Sequence, residues 1–175
     1  IVDASVPETG KEHIIRGWIV SGTNLPMPMP QKDQLFKAMQ SLEFLVVIDT
    51  MPMEITGFAD VVLPECTYFE RYDELRESPG REPYVGLRMP AAEPSYDSKP
   101  AWWIAKKIGD RLGLGEYFNY DDYKEVIEWQ LNQLGTSLAE MQELGVKKFD
   151  RTSGSLYMAE GNPNEFNTNS GKIEL

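Results

Sequence analysis

The residues best placed to do chemistry form two small groups. Ser21, Gly22, Thr23 and Asn24 follow one apolar run, and Asp49 ends a second, "FLVVID". Glycine lets a backbone come close to a ligand, Thr and Asn supply hydrogen-bonding side chains, and a carboxylate at the end of a buried strand accepts hydrogen bonds from neighbouring OH or NH groups. Ligands of open parallel sheets bind outside the carboxyl ends of the strands, where loops present free N–H groups. A ribose diol or a guanine edge suits such an acid. The competing reading is plainer: "SGTN" as a strand-ending turn and Asp49 as a cap.

Other constellations are weaker. No GxGxxG and no GxxxxGK[ST] is present, which disfavours ordinary NAD binding and P-loop chemistry. His13 precedes the first strand, on the opposite edge from the candidate site. Glu70, Asp73 and Glu74 lie among Arg71 and Arg76 and read most simply as a solvated, mutually paired loop. Cys66 is a single cysteine, unable to form an internal disulfide, and with one histidine it completes no usual zinc set. It reads as a small buried apolar residue. Trp102 and Trp103 read as core or docking surface, and no nucleophile has a base beside it.

Several elements must position these residues. "IIRGWIV", residues 14–20, reads as a strand. The prolines of "LPMPMPQKDQLFKAMQSL" give way to Leu35, Phe36, Met39 and Leu42 at spacings of three and four, a helix of about three turns. "EFLVVID" is a continuous apolar strand of the kind buried on both faces. Strand, helix, strand predicts a parallel βαβ unit with a right-handed crossover, and "DVVLP" adds a third short strand. Residues 66–97 carry no period and read as a long irregular segment. Ser98 and Pro100 open a helix that stops at Gly113. A second amphipathic helix follows in "DDYKEVIEWQLNQLG", then a short one with Ser137 and Glu140 spaced as a capping box.

The expected fold class is therefore α/β: a partial parallel sheet with flanking helices, a long irregular segment and a helical C-terminal half. The division is 1–65 for the α/β edge unit, 66–97 for the loop segment, 98–145 for the helices, and 146–175 for a linker ending in the strand-like "KIEL" and leading to a missing domain. With 41% hydrophobic residues and 4 Trp in 175, the chain is globular in composition. Its net charge of −11 makes nucleic acid a poor partner. No apolar run reaches the roughly 20 residues of a membrane span, so no direct insertion is expected. A start at Ile1 without a leader suggests an excised piece.

Taken in order, "VSGTN", "FLVVID", "FADVVLPECTYFER", "SPGR" and "NTNSGKIEL" resemble the molybdopterin oxidoreductase family, of the dimethyl sulfoxide reductase type and nearest the catalytic subunits of polysulfide and thiosulfate reductases. The resemblance covers most of residues 14–115 and returns at 166–175. It implies a segment from the later half of such a subunit, with a domain-three α/β unit holding one guanosine end of a molybdopterin guanine dinucleotide cofactor. By position, Ser21, Gly22, Thr23 and Asn24 would lie near the dinucleotide phosphates, Asp49 would bind the guanosine, and Arg81 would support the same pocket. Relatives carry "TETA" where this chain has Met53, Glu54, Ile55 and Thr56, so Thr50 or Thr56 would stand in for the lost hydroxyl. Cys66 does not match the metal-ligand position. The iron–sulfur cysteines and the molybdenum ligand would lie in other parts of the full-length protein, leaving this segment inert alone.

The implied activity of the whole is reduction of polysulfide or thiosulfate within a periplasmic, membrane-associated complex that includes iron–sulfur and membrane-anchor subunits. Two alternatives stand beside it. One is a scaffolding subunit or domain that has lost the cofactor; the other is an autonomous nucleotide-binding module.

Overall fold

A computed structural model describes residues 15–78, 82–150 and 168–172. The first part is the expected βαβ unit extended by one strand. Strand β1, Gly17–Ser21, is followed by helix α1, Lys32–Ser41, strand β2, Phe44–Asp49, a 3-10 turn, Glu54–Phe58, and strand β3, Val61–Pro64. The strands lie in the order β1-β2-β3, and both pairings are parallel. Ser21 is level with Ile48, and Asp49 with Pro64, so the residues that follow all three strands emerge at one edge.

The β2 run is continuous because both of its faces are covered. Leu45 and Val47 pack with Trp18 of β1, Leu35, Ala38 and Met39 of α1, and Ile55 of the 3-10 turn. Val46 and Ile48 face the other way, against Ile104 of helix α2, Ala101–Arg111, with Leu63, Trp103 and Ile108 around them. Asp60 fixes the start of β3 by exchanging bonds with Leu45: its carboxylate accepts from the Leu45 amide at 2.7 Å, and its own amide donates to the Leu45 carbonyl at 2.9 Å. The prolines Pro26, Pro28 and Pro30 keep the chain non-helical until Lys32, since each disfavours helix in the residue before it.

Three expectations are corrected. The first strand begins at Gly17, not at residue 14. Residues 66–97 contain two short strands, β4 at Arg76–Ser78 and β5 at Tyr84–Gly86. Residue 146 starts a strand as well: β6, Val146–Lys148, pairs antiparallel with β5, as β5 does with β4. This second sheet packs Val85 and Leu87 against Ile127 and Leu131 of helix α3, Tyr123–Gln133, and Met141 of helix α4, Leu138–Leu144. The "KIEL" end lies outside the described residues apart from Lys172.

Helix ends follow the sequence with small differences. Asp122 caps α3 and forms a reciprocal box with Glu125. Ser137 caps α4 by accepting from the Glu140 amide at 3.2 Å, but Glu140 turns its carboxylate to the Thr136 hydroxyl at 2.7 Å and to Lys147 at 2.8 Å. The predicted box at α4 is thus half formed. Pro100 occupies the cap of α2, while Ser98 is buried and donates to the Ser95 carbonyl at 2.7 Å. In α2, Gly109 leaves room for Phe118, whose ring would lie 2.4 Å from any Cβ there.

Candidate functional site

The carboxyl edge of the parallel sheet gathers most of the predicted residues. Ser21 ends β1. Gly22 continues the ladder for one more bond, its amide donating to the Ile48 carbonyl at 2.9 Å. Its φ of +62° calls for glycine on conformational grounds, and no atom lies within 4 Å of where a Cβ would project, so that side is open. Thr23 is exposed beside it.

Asp49 closes β2 with only 8% of its surface exposed. Its Oδ1 accepts from the Thr50 amide at 2.7 Å, with the Thr50 hydroxyl at 3.5 Å. Its Oδ2 is buried and meets no donor. Buried polar atoms almost always have partners, and leaving one unpaired costs about 1–3 kcal/mol. This unpaired acceptor lies at the carboxyl edge of a parallel sheet, the edge outside which such sheets bind ligands.

Two predicted contacts are used differently. The Asn24 side-chain amide donates to the Glu54 carboxylate, and its Oδ1 accepts from the Ile55 amide at 3.4 Å. Thr56 turns inward to accept from the Met53 amide at 2.9 Å and so starts the 3-10 turn. Asn24 and Thr56 therefore shape the loops, while Gly22, Thr23, Asp49 and Thr50 line the edge. Arg81 and His13 lie outside the described residues.

Sequence reasoning missed a buried ion pair just past β3. The Glu65 amide donates to the Asp49 carbonyl at 3.0 Å, and the Glu65 carboxylate pairs with Arg71. These side chains are 8% and 18% exposed. Arg71 also donates to the Cys66 carbonyl at 2.7 Å and lies 3.7 Å from Asp73. Cys66 itself is fully buried, its sulfur 3.7 Å from the Ser98 hydroxyl.

Glu70, in the same segment, is held by a set of hydrogen bonds. The Ser95 hydroxyl and amide and the Thr67 amide and hydroxyl hold its carboxyl down to about 2. Its folded value lies below the ordinary 4.5, so the clamp contributes fully above pH about 4.5 and is lost as pH falls toward 2. Melting curves of Glu70→Gln should therefore lie below those of the unmodified chain at pH 7 and converge with them toward pH 2. A gap that stays constant with pH would count against the clamp.

A groove of about 690 Å³ between β3 and α2 is lined by Leu63, Trp103, Ile108, Lys107 and Arg111, among others. It holds no orphaned buried polar atom, so the sheet edge remains the candidate.

The family model for molybdopterin oxidoreductases matches residues 3–111. The chain belongs to that family. It is 33% identical over 145 residues to the molybdopterin-containing subunit of a thiosulfate reductase from Salmonella typhimurium, an alignment covering 83% of this chain and 19% of that protein. It is 32% identical over 121 residues to the alpha subunit of an F420-dependent formate dehydrogenase from Methanocaldococcus jannaschii, covering 69% of this chain and 17% of that one. A nitrate reductase from Symbiobacterium thermophilum is similar at 31% over 121 residues, with shares of 69% and 16%. The chain thus spans under a fifth of these relatives. Among solved structures, the acetylene hydratase of Pelobacter acetylenicus superposes with a TM-score of 0.71 at 21% identity, over 98% of this chain and 23% of that one. That likeness is one of fold.

A molybdopterin cofactor follows from the family, and the chemistry of the sheet edge is compatible with holding part of such a group. Asp49 offers a buried oxygen without a donor, and Gly22 offers open space at the same edge.

Proposed function

We propose that this chain holds the guanosine end of a molybdopterin guanine dinucleotide, in the manner of a domain-three α/β unit, within a reductase of an inorganic sulfur compound, polysulfide or thiosulfate. The observation that carries the binding role is the orphaned Oδ2 of Asp49 at the carboxyl edge of β2. Guanine presents two adjacent N–H donors on one edge, and a carboxylate has the acceptor capacity for both. Thr50 holds the carboxylate by its other oxygen, and Thr23 and the open side of Gly22 face the same solvent edge. When bound, the cofactor supplies the molybdenum at which electron pairs are exchanged; the protein supplies binding and orientation.

The similarity to a thiosulfate reductase subunit favours a sulfur substrate over the nitrate and formate named for other relatives. On the same reading the intact protein carries an iron–sulfur cluster and works in a periplasmic complex with iron–sulfur and membrane-anchor subunits. Among the described residues no helix is long and apolar enough to cross a membrane.

Amide-shift NMR titrations with GMP, GDP and AMP test the binding role. Guanine-selective shifts at Gly22, Thr23, Asp49 and Thr50 are expected. A folded chain whose spectrum none of the three nucleotides perturbs would count against the assignment and favour a scaffold that has lost its ligand.

A further inference from the structure

Asn24 belongs to a loop that looks, from its composition, like ligand-binding machinery. Both ends of its side-chain amide are nevertheless spent inside the protein. The nitrogen donates to Glu54, and the oxygen accepts from the Ile55 amide at 3.4 Å. Its own carbonyl accepts from the Met27 amide at 3.0 Å, which curls the loop back on itself. Ile55, the residue it grips, is fully buried in the α1-side core. Glu54 opens a 3-10 turn that is braced by Thr56. One side chain thus ties the loop leaving β1 to a rigid turn downstream of β2, and Asp49 lies on the stretch between those two attachment points.

We infer that Asn24 and Glu54 form a positioning clamp that sets the spacing of the two loops flanking Asp49, and that Asn24 does not itself touch the nucleotide. This rests on the proposed role of Asp49. Gly22 is tied to β2 by its amide's bond to the Ile48 carbonyl at 2.9 Å but has an open side, and Thr23, between it and Asn24, is exposed. Fixing them in advance lowers the ordering cost of binding, which is how preorganised sites gain affinity. Hydrogen bonds to the Glu54 carboxylate, its own backbone amide first and then the Asn24 amide, hold its pKa below the ordinary value, so the clamp is a charge-assisted bond at neutral pH.

The test is a charge swap read by GMP and AMP titration of the whole chain. Asn24→Asp sets two carboxylates against each other and should weaken GMP binding about tenfold, the effect of losing roughly 1.4 kcal/mol of preorganisation. Asn24→Asp combined with Glu54→Gln rebuilds the bond with donor and acceptor exchanged, and should return affinity to within about twofold of the unmodified chain. The preference for guanine over adenine should stay unchanged throughout, because the clamp does not read the base. Glu54→Leu, which removes the acceptor and adds no charge, should weaken binding like Asn24→Asp and guards against misfolding of that variant.

A double variant as weak as Asn24→Asp would overturn the inference, because a direct ligand contact cannot be repaired from Glu54. Unchanged affinity in both Asn24→Asp and Glu54→Leu would overturn it as well. If the unmodified chain binds neither nucleotide, the proposed function falls and the clamp's role falls with it, a result distinct from the other two.

Discussion

Replacing Arg71 by Met should destabilise the fold by about 3 kcal/mol, the low end of what breaking one side of a buried ion pair costs. The magnitude follows from burial. The Glu65 carboxylate is 8% exposed and loses its cation, and the Cys66 carbonyl loses a donor at 2.7 Å. Asp73 keeps a partner, since Arg88 holds it independently at 2.5 Å. For a chain of this size the loss corresponds to a drop of roughly 6–12 °C in Tm. Replacing the pair together, Glu65→Leu with Arg71→Met, removes the stranded charge and should recover most of the stability, as apolar replacement of buried pairs commonly does. Urea melts of the three proteins decide it. A loss under about 1 kcal/mol in Arg71→Met would mean that the pair behaves as an exposed one.

The same pair marks where sequence reading stops. In "ECTYFERYDELRESPGR" the charges look like a solvated loop, and in part they are, but Arg71 turns away from solvent to reach Glu65 six residues earlier. Nothing in the local pattern distinguishes that arginine from Arg76, because burial depends on where the chain after β3 is held. That is set by bonds to distant residues: the Cys66 amide donates to the Lys99 carbonyl at 3.1 Å, and the Lys99 amide to the Pro64 carbonyl at 3.1 Å.

The parallel sheet was legible for the opposite reason. β1, β2 and α1 are close in sequence, and their patterns differ in period: a continuous apolar strand against apolar residues three and four apart. The second sheet has strands of three residues, one of them the polar "RES", and joins Tyr84 to Lys148 across most of the helical half. Its short strands are too polar and its pairing too remote for any window to register.

The candidate site divides along the same line. Asp49 could be found because its position, at the end of a buried run, is a local property. The orphaned oxygen could not, since it depends on what the neighbouring loop fails to provide. Asn24 reads in the sequence as ligand-binding chemistry; only its partner thirty residues on shows where its hydrogen bonds go.

Asp49→Asn should separate binding from stability more sharply than any other single change. The substitution keeps the Thr50 amide's acceptor at 2.7 Å while replacing the orphaned oxygen with an amide NH2 donor. A buried carboxylate oxygen without a partner is a standing cost of about 1–3 kcal/mol, and an amide dipole in its place is easier to bury than a charge. Stability of Asp49→Asn should therefore equal or exceed that of the unmodified chain. Binding should move the other way. Guanine would meet a donor where it needs an acceptor, and losing hydrogen bonds to a charged group, worth about 1.5–3 kcal/mol, weakens affinity by about 10–100-fold. Urea melts and GMP titrations of the same sample give both quantities. If stability and affinity fall together, Asp49 is a strand cap whose loss disorders the edge; if stability holds while affinity falls, the unpaired oxygen is kept for the ligand.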